Sequence, residues 1–252
     1  PLLYNLAELQ NDCSKYFKIN PDQTLSIVQE LYEKKLVTYP RTDARVLSTA
    51  VAKEIHKNIA GLQNYAVLQD HAKEVLALGS YKKIASTKYV NDKQITDHYA
   101  IIPTGQGFKA LGSVSPTARL VYEIIARRFL GIFYPAAVYE KVSLVTERRN
   151  EKFYCSFKVL KEEGFRKVMQ YSFAKKKDAD KDLGKEDAEK ENANKSGAEN
   201  EAEEVKCDEA FLKILAGLKK GDELPLKAFE IKEGETQPPK RYNSGSIILA
   251  ME

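Results

Sequence analysis

Between residues 20 and 130, apolar side chains recur every three or four positions, the spacing of one buried helix face. Asn20 ahead of Pro21 predicts a helix start, because Asn caps well and Pro suits the first helical position. Leu25, Val28, Leu31, Tyr32 and Leu36 supply the stripe of that helix. Ser48 predicts a second cap, with a helix running through Lys57, and residues 74–78 belong to another. Ser115-Pro116 opens a further helix with Ala118, Val121, Ile124, Ile125 and Phe129 inward. After Pro135 the period falls to two. Residues 138–145 alternate, and Phe153, Cys155, Phe157 and Val159 alternate again beyond Arg149-Asn150, which predicts a β-hairpin. One more strand is expected over 226–232. The Tyr-rich and Phe-rich β part reads as core rather than as a platform for stacked bases. The expected fold class is α+β: a mainly helical unit over 1–132, an antiparallel β unit over 133–240, and the start of another helical domain at 241–252.

Composition changes this picture at one place. Residues 174–206 contain no aromatic side chain and carry 8 Lys against 11 Asp or Glu. Such a stretch cannot bury enough apolar surface to offset its ordering entropy, so it reads as a solvated, mobile insertion. The chain as a whole has 252 residues and a net charge of +4. Without the acidic insertion the remainder is more basic than that figure suggests, a weak pointer to a polyanionic partner. An apolar share of 43% excludes global disorder, and no run approaches the roughly 20 apolar residues of a membrane span. Cys13, Cys155 and Cys207 are widely spaced with no C-x-x-C pair, which argues against a disulfide framework or a zinc site and fits a reducing cytosol. The first residues lack a signal peptide and an initiator Met, and the last ones read as an interrupted helix. A piece of a longer protein is the expectation.

The candidate chemistry lies in Thr38-Tyr39-Pro40-Arg41-Thr42-Asp43. Pro40 biases Tyr39 towards extended backbone, and in an extended chain Tyr39 and Arg41 face the same side. A phenol is a weak nucleophile unless something stabilises phenolate or takes its proton. A guanidinium is always charged and grips phosphate through two hydrogen bonds. Tyr39 and Arg41 are therefore the minimum for attack on a phosphodiester. The same residues also suit a half-buried Tyr ending a helix beside surface charges. Thr42 and Asp43 either hydrogen-bond a nucleic-acid backbone or fix the turn after Arg41. Lys35, Arg45 and Arg119 are candidates for backbone phosphate contacts.

The segment YPRTD after LYEKKLVT resembles the active-site segment of type IA DNA topoisomerases, most closely the topoisomerase III branch. The resemblance continues through residues 6–10 and 24–32, through Asp97-His98-Tyr99-Ala100-Ile101-Ile102-Pro103-Thr104, through 115–129, and through 236–242 and 247–252. It covers nearly everything outside the charged insertion, with several motifs in the family's order. It implies that Tyr39 becomes linked to a 5′-phosphate of single-stranded DNA, that Arg41 holds the scissile phosphate, and that His98 lies near it. It makes Arg241 a further candidate for DNA contact, and leaves His56 and His71 as structural or surface residues. The helical unit corresponds to the family's lid and the β unit to its arch and hinge.

The resemblance also implies partners that this chain does not contain. The family's Mg²⁺ is held by acids of a Toprim domain preceding this segment, and no such triad stands here. The expected partners are single-stranded DNA and the remaining domains of the same polypeptide, in a bacterial cytoplasm. Two other readings stay open. The chain could serve only as a DNA-binding and structural module, or Tyr39 could belong to a nicking or recombinase reaction. The histidine clusters and multiple Arg of those enzymes are not visible.

Overall fold

The computed structural model describes residues 1–173, 203–204, 209–225, 228, 230–231, 233–236, 238–239 and 241–251. Its helices are α1 (Leu6–Phe17), α2 (Pro21–Glu33), α3 (Thr49–Leu62), α4 (Gln69–Leu78), α5 (Pro116–Gly131), α6 (Glu209–Gly217) and α7 (Ser244–Met251). The strands are β1 (Val138–Arg148), β2 (Glu151–Glu162) and the two-residue β3 (Glu203–Glu204). The class is α+β, as expected. No helix among the described residues is long and apolar enough to cross a membrane.

The helix starts follow from local chemistry. Asn20 accepts from the Gln23 N–H while Gln23 reaches back to the Asn20 N–H, a capping box with Pro21 at the first position. Ser48 and Ser115 accept from the N–H groups of Val51 and Ala118. The second helix runs five residues past the expected Lys57, because Ile59 and Leu62 continue its buried face. Helix α5 is buried nearly all round, with Ile124, Ile125 and Phe129 fully inaccessible. Each such side chain contributes roughly 2 kcal/mol of transfer free energy.

Burial of α5 brings charge inside, and each charge is paired. Arg127 binds Glu123 at 2.7 Å and the Val168 carbonyl at 2.9 Å, and Glu123 also accepts from the Ser172 N–H. Arg128 donates to Asp12 at 2.9 Å and stacks over the Tyr4 ring. A buried ion left without its partner would cost several kcal/mol, so these pairs fix which elements α5 can meet. Gly245 lets α7 close onto α1, since a Cβ there would come within 2.8 Å of the Asn11 Cα.

Contacts divide the chain into two units. One is Pro1–Val138 together with 162–173 and 242–251 of the described residues; the other comprises 139–161 and the described residues within 198–241. The first holds the main core. Val168, Met169 and Tyr171, placed by sequence in the β unit, are buried in that helical core instead. Short apolar stretches such as this one carry no period to say which core they join.

In the second unit β1 and β2 form the expected hairpin. Arg149 (φ 50°) and Asn150 (φ 68°) both adopt left-handed backbone, the geometry that matches a two-residue turn to strand twist. Its aromatic residues are not core: Phe153 is 48% and Tyr154 76% exposed. Burial alternates along part of β1 but not along β2, and although Val159 is buried, neither face of the hairpin is covered as a core face would be. Glu203 and Glu204 pair with Phe157 and Lys158 in parallel, a two-residue addition inside the stretch expected to be mobile. The rest of that insertion lies outside the described residues. So does part of the strand expected at 226–232, and the described Ala228, Glu230 and Ile231 are not in a strand. Helix α6 was not foreseen.

Candidate active site

The end of α2 sets the position of everything that follows. The Leu36 N–H donates to the Leu31 carbonyl and the Lys35 N–H to the Tyr32 carbonyl, at 2.9 and 2.8 Å. This paired closure requires one left-handed residue, and Lys35 takes it at φ 60° where glycine is usual. The chain then runs antiparallel to the segment bearing His98. Val37 pairs with Pro103, the Thr38 N–H donates to Ile102 O, and the Thr38 hydroxyl bridges Ile102 N and Ala100 O. Thr42 closes the far end by donating its hydroxyl to His98 O at 2.9 Å. At the near end the Thr104 N–H donates to Leu36 O. Gly107 (φ 75°) packs where a Cβ would lie 2.5 Å from Lys34 O, so this loop is seated directly on the helix end.

That register carries Tyr39 to His98. Their ring centroids are 4.3 Å apart at 42°, and the Tyr32 ring stands edge-on to Tyr39 at 5.5 Å and 82°. The three rings share an open cleft of about 430 Å³, which Lys35, Tyr99, Thr104 and Gln106 also line. Burial pushes the Tyr99 phenol up from its ordinary pKa, so it stays neutral. The expected extended run from Tyr39 to Arg41 is not formed. The Thr42 N–H donates to Pro40 O at 3.1 Å, closing a three-residue turn centred on Arg41. Arg41 is exposed, does not line the cleft, and has no side-chain hydrogen bond or ion pair among the described residues.

The other sequence candidates separate by what already occupies them. Thr42 is buried, and its hydroxyl also accepts from the Ala44 N–H, so both its bonding roles are filled within the fold. Asp43 is exposed, with its carbonyl held by Asn5. Arg45 is ion-paired to Glu8 and donates to Leu3 O at 3.2 Å. Lys35 sits on the cleft, and Arg119 is exposed near the start of α5. Arg241 is exposed and belongs to the second unit. His56 is exposed, whereas His71 lies within hydrogen-bond distance of Tyr134. Sequence reasoning gave Tyr32 and Tyr99 no part in the cleft. Tyr32 read as one more position of an apolar stripe, and the pairing of 37–42 with 98–103 has no local signal. Among the described residues no three His, Cys, Asp or Glu side chains come together as a cation site.

The match to known proteins covers the whole chain. A family model described as DNA topoisomerase aligns with residues 1–252. DNA topoisomerase 3 of Bacillus licheniformis is 36% identical over 253 residues, all of this chain and 30% of its own length. The Bacillus subtilis protein of the same name is 33% identical with the same coverage. The chain thus spans about 30% of the length of these curated relatives. Full-length topoisomerase I from Thermotoga maritima superposes with a TM-score of 0.45 and 21% identity, over 68% of this chain and 27% of that one, too partial a likeness to carry an argument. With the cleft tyrosine set in YPRTD and the family model aligned from end to end, the chain belongs to the type IA DNA topoisomerases, on the topoisomerase 3 branch.

Proposed function

We propose that this chain carries the nucleophile of a reaction that cleaves single-stranded DNA, passes another strand through the break and reseals it. The observation that carries this reading is the Tyr39 ring, seated in an open cleft and in contact with His98 on a hydrogen-bonded backbone pair. The Tyr39 Oη gives up its proton and attacks a backbone phosphorus, its P–O bond forms, the bond to the 3′ oxygen breaks, and that oxygen takes up a proton. The products are a 5′-phosphotyrosine and a free 3′-OH. One phosphodiester replaces another, so resealing runs the same step backwards and needs no ATP.

The roles of neighbouring groups follow from their chemistry. Arg41, unengaged at the apex of its turn, meets the phosphate and offsets charge on its equatorial oxygens. His98, exposed beside the phenol, contacts the same phosphate or returns a proton to the departing 3′ oxygen. Lys35 holds an adjacent phosphate. Magnesium, which the family relationship brings, would supply further charge stabilisation. The described residues offer no cluster of acids to hold it. In this reading the helical unit is the lid, the β unit its arch and hinge, and the rest of a longer polypeptide supplies the Toprim and DNA-gripping domains in the cytoplasm. A binding-only role for the chain taken by itself is the second reading, favoured by the same lack of clustered acids.

The test is denaturant trapping of the protein–DNA adduct with the full-length protein, followed by peptide mapping. Tyr39→Phe is expected to abolish the adduct and leave DNA affinity nearly intact, since only the hydroxyl is lost. Arg41→Lys keeps a charge without the planar two-point grip, so cleavage falls strongly yet stays above the Tyr39→Phe floor. His98→Ala slows cleavage. An adduct that maps to Tyr32 or Tyr99 overturns the assignment.

A further inference from the structure

Tyr32 and Tyr39 reach each other from separately anchored backbones. The Tyr32 carbonyl is held by the Lys35 N–H in the closure of α2, and Thr38 is held by Ala100 and Ile102 across the strand pair. Thr104 ties the two supports together through Leu36 O. The resulting edge-on ring pair, 5.5 Å between centroids, lies within the range where aromatic pairs attract. A phenol that must approach phosphorus in line has two soft side-chain torsions, and a misplacement of about 1 Å can cost on the order of a hundredfold in rate. His98 touches the same ring but is itself exposed. Tyr32 is the ring that meets Tyr39 from the helix side.

We infer that Tyr32 is a positioning residue for the reaction: its ring holds the Tyr39 ring at the angle from which the phenol oxygen can meet the phosphate. The inference rests on the reading of Tyr39 as nucleophile. Tyr32 is 39% exposed and is not among the residues of the main core or those packed against it. The contact needs a ring but not the Tyr32 hydroxyl.

Single-turnover adduct formation at saturating single-stranded oligonucleotide tests this in the full-length protein, alongside the Kd for that oligonucleotide and the Tm. Tyr32→Leu keeps apolar bulk but removes the ring. Its cleavage rate constant is expected to fall about tenfold, the ratio equivalent to roughly 1.4 kcal/mol, with Kd and Tm near wild type. Tyr32→Phe is expected to restore the wild-type rate. A wild-type rate in Tyr32→Leu overturns the inference. So does a loss confined to Kd or Tm, or a Tyr32→Phe variant as slow as Tyr32→Leu. Tyr39→Phe run in parallel separates the two levels. If it still forms the adduct, the nucleophile assignment fails. If it forms none while Tyr32→Leu cleaves normally, only the positioning role fails.

Discussion

Thr42 joins the two halves of the site through one hydroxyl, donating to His98 O and accepting from Ala44 N. Thr42→Val keeps the shape but strands both backbone partners, one of them beside the cleft. A cost of about 1–3 kcal/mol is expected in urea unfolding, and Thr42→Ser should recover most of it. Equal stability of the Val and Ser variants would show that the hydroxyl does not hold the segment. His71 gives a residue-scale prediction in pH. Burial, followed by the Arg127 charge, lowers its pKa against the opposing pull of Glu74. A folded pKa below the unfolded value of about 6.5 means the unfolded chain binds the extra proton first. Stability therefore falls as pH drops below about 6.5, down through the folded pKa, and His71→Gln should flatten that limb. Glu74 works in a lower window. Its pKa is depressed, first by the Lys167 hydrogen bond, so its contribution is lost only as pH falls below the ordinary range of a glutamate. The local part of these roles was legible, Thr42 in the turn after Arg41 and His71 as a structural group, but their distant partners, His98 for Thr42 and Tyr134 for His71, were not.

At the scale of elements, sequence was most legible where a signal is local. Asn20, Ser48 and Ser115 cap the helices they were expected to cap, and Arg149-Asn150 turns the hairpin. The pairing of 37–42 with 98–103, which brings His98 to Tyr39, was illegible from local pattern because the Thr38 and Thr42 hydroxyls that hold it bond to backbone groups some sixty positions away, and any backbone amide or carbonyl could serve as such a partner. The turn at Arg41 was misread for a related reason. The bias that Pro40 exerts acts on the residue before it and leaves the residue after it free. Lys35 supplies the element-scale prediction. Its left-handed backbone is costly for a residue with a Cβ, and it stands on the rim of the cleft. Lys35→Gly is expected to raise stability by about 1 kcal/mol in chemical denaturation while weakening single-stranded DNA binding. A glycine variant that gains stability and binds DNA as well as wild type would show that the cation does not meet the strand.

For the whole molecule, charge distribution decides how the chain meets a polyanion. Residues 1–130 carry 17 Lys or Arg against 12 Asp or Glu, but the buried and half-buried pairs Asp12–Arg128, Glu123–Arg127 and Glu8–Arg45 remove both signs from the surface equally. What remains outside is a modest positive field with exposed members at Arg41 and Arg119 and another at the cleft, Lys35. The chain alone is therefore expected to bind single-stranded DNA weakly and in a salt-dependent way, and not to relax supercoiled DNA with Mg²⁺. Binding measured by fluorescence anisotropy across about 50 to 300 mM salt resolves which cations take part, since each neutralised phosphate of a single strand adds about 0.7 to the log–log slope. Arg41→Ala, and Lys35→Ala or Arg119→Ala where those groups meet phosphate, should each lower the slope by about that amount. Arg45→Ala should not. Its guanidinium already faces Glu8 and Leu3 O, so its removal should lower the Tm and leave the slope unchanged. If Arg45→Ala flattens the salt dependence as much as Arg41→Ala does, the ion pair with Glu8 opens on DNA binding, and the division between structural and DNA-facing cations drawn from the fold is wrong.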